Sequence, residues 1–173
     1  MDPFYTFLVF TVVLILEQLA GQRWLKGYYL FGLPIFITQR NMGQLTHTAD
    51  IAQALEQVIQ EKPRQITLRF RVLNERVIAI REALFENRAG FRYFPVMHTV
   101  LQTQPEKRQL QLIGYLNWYV LVALVYLVYR AATEPGFIPV AILILFVLII
   151  SYAAQAGINR QIVEEAAKVQ TNG

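Results

Sequence analysis

IGYLNWYVLVALVYLVY (residues 113–129), RAATEPG (130–136) and FIPVAILILFVLIISYAA (137–154) form two apolar runs with a short polar interruption. Neither run contains Asp, Glu, Lys or Arg, and the interruption carries Pro135 and Gly136. Apolar stretches of this length around a Pro-Gly turn read as two membrane-spanning helices in an antiparallel hairpin. A third apolar segment, residues 4–19, is about 24 Å long as a helix against a hydrocarbon core of about 30 Å. It reads as a retained first transmembrane helix. No Lys or Arg precedes it, and Gln18 stands where a cleavage site at Ala20-Gly21 would want a small residue.

The expected fold class is therefore membrane α+β. Three transmembrane helices are expected, with an antiparallel β-meander and one amphipathic helix inserted between the first and second. The divisions are residues 1–20 for the first helix, 21–112 for a cytoplasmic α+β domain, 113–155 for the helical hairpin and 156–173 for a cytoplasmic tail. Composition agrees, since 55% of the 173 residues are hydrophobic. The absence of cysteine excludes disulfides, thiolate metal sites and cysteine nucleophiles. Residues 21–112 hold thirteen Lys or Arg against seven Asp or Glu, so the positive excess of a chain whose net charge is +4 is concentrated there. Arg23, Lys26, Lys107, Arg108 and Arg160 flank the apolar segments on one side, so the positive-inside rule puts the N-terminus outside the plasma (bacterial inner) membrane. Residues 21–112 and the tail then face the cytoplasm.

Within the insert, residues 23–31 and 35–39 read as two strands around Gly32-Leu-Pro34. Thr48 caps a helix over 49–61, with Asp50 in its first turn and Ile51, Leu55, Val58 and Ile59 on one face. Residues 65–73 alternate Ile66, Leu68, Phe70 and Val72 with Thr67, Arg69 and Arg71, the pattern of a half-buried strand. Asn74-Glu75 turns into its antiparallel partner, and Pro105 marks a last hairpin between 91–103 and 108–113. In outline this resembles small bacterial membrane proteins that pair hydrophobic helices with a pleckstrin-homology-like β domain, from which the early helix at 49–61 departs.

No residue pattern names a reaction. His47 and His98 are the only histidines, and they lack a third ligand or a recognised spacing. No phosphate loop, GxSxG or paired helical histidines occur. No catalytic residue, metal or cofactor is assigned, and the tyrosines at 115, 119, 126 and 129 read as helix packing. Two groups of residues stand out. Arg69, Arg71, Arg88, Phe91, Arg92, Tyr93 and Phe94, with Arg76 and Arg81 beside them, offer a basic and aromatic surface for lipid headgroups or a partner protein. Glu17, Gln18, Asn117, Ser151 and Gln155 fall at one membrane depth and form a polar belt expected to face the bundle interior or another subunit.

The expected role is a non-catalytic integral membrane accessory protein whose domain docks on a partner membrane complex. The first alternative is a sensor of lipid headgroups or a small ligand through the basic and aromatic face. The second is a membrane enzyme. Membrane lipids and a membrane-protein partner or second copy are the expected partners. Nucleic acid is not expected, because acids are interspersed through the basic segments.

Overall fold

The computed structural model describes residues 3–41, 48–60, 68–82 and 95–171. Helix α1 (Pro3–Gln22) is followed by a short helix α2 (Lys26–Leu30), strand β1 (Pro34–Asn41) and helix α3 (Thr48–Gln60). Strands β2 (Leu68–Asn74), β3 (Val77–Glu82), β4 (Met97–Gln104) and β5 (Gln109–Leu116) come next, then helices α4 (Trp118–Thr133) and α5 (Ile138–Thr171). The five strands form one antiparallel sheet in the order β1-β5-β4-β3-β2. Strands β2 to β5 are a meander, while β1 crosses to the far edge to pair with β5.

Both sheet faces are covered. On one, α3 and the C-terminal half of α5 lie over the strands, and Ile51, Leu55, Ile162, Val163 and Ala166 meet Phe70, Ile78, Leu101, Leu110 and Leu112. Gly114 lies on this side, where a Cβ would stand 2.4 Å from Met97 Sδ and 3.2 Å from Phe36 Cβ. On the other face Tyr29 of α2 packs on Leu73, Val77, Ala79 and Val100, with Trp24, Tyr28 and Tyr115 around it. A third cluster of Val96, Tyr119 and Val120, with Phe10, Leu14, Leu124, Leu148 and Tyr152, fastens α1, α4 and α5 to the end of the sheet.

Three transmembrane helices are not supported. Among the described residues only the long helix that becomes α5 is long and apolar enough to cross a membrane, and 11% of its apolar window is buried. The run at 113–129 is divided: Ile113 to Leu116 complete β5, where Leu116 pairs with Met97 and Tyr115 with Pro34. That leaves 16 residues for α4, about 24 Å of helix. A strand covered on both faces is apolar on both faces, so it merges into an apolar helix without a change of period. Tyr115 accordingly belongs to the sheet and not to a helical stripe.

The expected strand at 23–31 is also different. Trp24 takes a left-handed φ of 54°, the chain turns into α2, and β1 finds its partner in β5. The segment after Ala156, expected as a tail, continues α5 without a break and carries part of the main core. Lys107 and Arg108 close the β4–β5 turn, so the eight residues of β5 separate them from α4. They are not membrane-flanking cations.

Candidate functional site at the helix–sheet junction

Asn117 is the N-cap of α4 but makes no side-chain cap bond. The first N–H groups of a helix need acceptors, and here they come from another helix. Glu17 of α1 accepts from Trp118 N–H at 3.0 Å through Oε1 and from Tyr119 N–H at 2.9 Å through Oε2. A carboxylate at this position also meets the positive end of the helix dipole. Tyr28 of α2 donates its hydroxyl to the same Oε1 at 2.9 Å. One side chain that is only 5% exposed thus joins α1, α2 and α4.

The Asn117 side chain is free of capping because it turns inward. Its Nδ2 donates to Pro95 O at 2.9 Å and to Tyr119 Oη at 3.2 Å, and Tyr119 in turn donates to Pro95 O. Those bonds leave Oδ1 facing His98 Nδ1 at 3.0 Å, so the network assigns the ring proton to Nδ1 and the lone pair to Nε2. Tyr28 stacks on His98 with centroids 4.1 Å apart, Tyr115 flanks it at 5.6 Å, and Tyr29 meets it edge-on at 5.8 Å. His98 is 7% exposed.

Burial pushes the His98 pKa down to about 4, against the Asn117 hydrogen bond and the Tyr28 main chain, which favour the charged ring. Burial raises the Tyr28 hydroxyl pKa well above its usual value, and the Glu17 charge and hydrogen bond add to the rise. Burial raises Tyr29 too, opposed by the charge of Arg81. The sign for His98 is fixed by linkage. As pH falls from 6.5 the unfolded chain binds a proton that the native ring refuses, so stability is lost progressively between 6.5 and about 4. The full loss is roughly 3 kcal/mol. Unfolding curves at stepped pH are expected to show it, and His98→Phe to abolish this component of the slope.

Gln155 of α5 fills the next position along the junction. Its Oε1 accepts from Val96 N–H at 2.9 Å and Met97 N–H at 3.0 Å, and its Nε2 donates to Met97 O at 2.7 Å. The start of β4 is thereby bonded as though by another strand. One turn on, Asn159 Nδ2 reaches Met97 Sδ at 3.3 Å, and Thr99 donates to Asn159 Oδ1 at 3.5 Å.

These side chains surround a cavity of about 50 Å³ that is also lined by Gln18, Gly21, Ile80 and Arg81. Space of that size admits a few water-sized molecules and no organic substrate. Two buried atoms of the lining residues, His98 Nε2 and Arg81 Nε, have no hydrogen-bond partner among the described residues. No group of three or more metal-ligating side chains occurs among the described residues.

The residues singled out from sequence fall in different places. Glu17, Asn117 and Gln155 all line the cavity; Gln18 is half-buried on its wall, and Ser151 is buried on α5. Glu17 and Asn117 meet through Tyr28, whose hydroxyl also lies 3.4 Å from Asn117 Oδ1. Gln155 bonds to the main chain of Val96 and Met97 at the start of β4. Arg69 and Arg71 are exposed on the edge strand β2, where Arg69 pairs with Arg81 of the cavity wall and Arg71 with Ala79. Arg88, Phe91, Arg92, Tyr93, Phe94 and His47 lie outside the described residues. Sequence reasoning gave no part in this cluster to Tyr28, and none to Arg81 beyond surface charge. Alternation on β3 was the available signal for Arg81, because it shares a face with Val77 and Ala79. Comparison with protein-family models, with curated proteins and with solved structures gave no match to this chain.

Proposed function

We propose that the chain is a non-catalytic, membrane-anchored accessory protein that holds its α+β domain against the bilayer and docks it on a partner membrane complex. The observation that carries this reading is the division of α5. Its first half exposes Ile142, Leu143, Phe146, Ile149 and Ile150, while its second half supplies Ile162, Val163 and Ala166 to the core of the sheet domain. One continuous helix is thus unburied apolar surface at one end and domain interior at the other. Exposed apolar surface on this scale is expected to be covered by lipid or protein. The outer faces of α1 and α4 extend it with Leu8, Val12, Leu16, Val125 and Val128.

The sheet and the end of α5 pack together, so both stand on one side of the membrane. Arg23 and Arg160 beside the apolar segments favour the cytoplasmic side. At the tip of the α4–α5 turn, Arg130 pairs with Glu134 and its guanidinium lies 5.9 Å from the Tyr126 ring and 5.3 Å from the Phe137 ring. A charge neutralised in this way costs less to carry toward lipid. The expected result is that the full chain floats with liposomes after alkaline carbonate washing and copurifies in mild detergent with a stoichiometric membrane partner. Recovery in the soluble fraction would overturn the anchor. Isolation alone from gently solubilised membranes, under conditions that preserve complexes, would overturn the accessory role. The second reading, recognition of lipid headgroups, is favoured by the unpartnered Arg81 and His98 atoms.

A further inference from the structure

Arg69 and Arg81 are direct cross-strand partners on β2 and β3. Ile80 pairs with Thr99 on β4, so the next step of the same register sets Arg81 beside His98, which itself pairs with Tyr115 on β5. One row across the α2 face of the sheet therefore reads arginine, arginine, histidine, tyrosine. Like charges directly opposite one another are unfavourable in a sheet. Arg81 makes no ion pair among the described residues; its guanidinium lies over the Trp24 ring at 5.5 Å. Glu17, the acid on the same cavity wall, is committed to two α4 N–H groups and the Tyr28 hydroxyl.

The cavity thus presents a half-buried cation with a spare donor and a neutral imidazole with a spare acceptor. It lies beside Gln155, where α5 passes from exposed apolar surface at Ile149 and Ile150 to the domain core at Ile162 and Val163, the depth at which headgroups meet a membrane protein. We propose that this junction seats the headgroup of an anionic glycerophospholipid. The phosphodiester rests on Arg81, and a headgroup hydroxyl enters the cavity to donate to His98 Nε2. The inner space of about 50 Å³ takes a hydroxyl and not a bulky substituent, so phosphatidylglycerol fits this chemistry and phosphatidylcholine does not. The inference rests on the membrane-anchor reading and adds to it a lipid class and the two residues that select it.

The test uses the full chain in phosphatidylcholine nanodiscs containing increasing phosphatidylglycerol, with retained lipid counted by native mass spectrometry after detergent release. One phosphatidylglycerol is expected to be kept selectively. Arg81→Gln is expected to weaken retention about tenfold or more, the effect of losing one charge-assisted contact, while Arg71→Gln on the neighbouring strand leaves it unchanged. In the unsubstituted chain, nitrogen NMR of His98 is expected to show Nε2 moving on addition of phosphatidylglycerol. That readout also serves if Arg81→Gln does not fold. Equal retention of phosphatidylcholine, wild-type retention by a folded Arg81→Gln, or an unmoved Nε2 resonance would each overturn the proposal. Binding of soluble glycerol phosphate as tightly as of the lipid would replace the lipid by a free phosphate ester and overturn it equally. A chain that floats with membranes but shows no lipid preference loses the headgroup seat and keeps its anchor; a chain that does not float loses both.

Discussion

Replacing Glu17 with leucine is expected to lower unfolding stability by about 3–5 kcal/mol, the cost of stripping three buried or half-buried donors of their acceptor. The Trp118 and Tyr119 N–H groups have no carbonyl four residues back to turn to, and the Asn117 side chain, the usual local substitute, is held by Pro95 and His98. Tyr28 loses its short acceptor at the same time. Glu17→Gln keeps one acceptor oxygen and is expected to cost about half as much. Chemical denaturation in detergent, followed by Trp fluorescence, measures both. Trp24 and Trp118 flank the site, one beside α2 and one on the capped turn. A leucine variant as stable as wild type would show that the carboxylate does not hold these helices together.

The second large effect is expected at Gln155. Gln155→Leu removes two acceptor contacts and one donor contact to the main chain of Val96 and Met97, at about 3–4 kcal/mol. Its signature should be spatially distinct. Hydrogen exchange is expected to accelerate at Val96 and Met97 while amides in the middle of β5 stay protected, because Gln155 serves as the missing neighbour of β4 at that point. Combining Asn117→Leu with Gln155→Leu gives a cycle across the junction. The two side chains bond to adjacent residues, Asn117 to Pro95 and Gln155 to Val96 and Met97, so the double variant is expected to be non-additive.

Local signals made parts of this chain legible. The helix at 48–60 followed from Ile51 and Leu55, which are fully buried, and β2 and β3 followed from alternation and from Asn74, whose Oδ1 accepts the Arg76 N–H at 2.9 Å. What failed was non-local. Nothing in residues 23–31 distinguishes an aromatic strand from a turn and a short helix, until the far edge of β5 is known to be taken by β1. Ile113 to Leu116 look like the opening of a transmembrane helix because both faces of β5 are covered, by α3 and α5 on one side and α2 on the other. At the junction, depth along the apolar segments identified Glu17, Asn117 and Gln155 as polar residues in one zone. Most of their bonds go to main-chain groups at residues 95–97 and 118–119, which carry no signal in side-chain pattern. His98 was visible only as a lone histidine in a strand-like run, and the three tyrosines around it come from two other elements, α2 and β5.

The unbroken course of α5 gives the molecule a lever. Its 34 residues amount to a rod about 51 Å long, clamped to the sheet over its second half, with no flexible joint between the two ends. Helices answer a change in bilayer thickness by tilting. A tilt of about 10° would swing one end of such a rod by about 9 Å relative to the other. Because the sheet is fixed to the rod, it would turn with it as a single body. In a bilayer, the orientation of the domain would thus report the thickness of the lipid around its anchor.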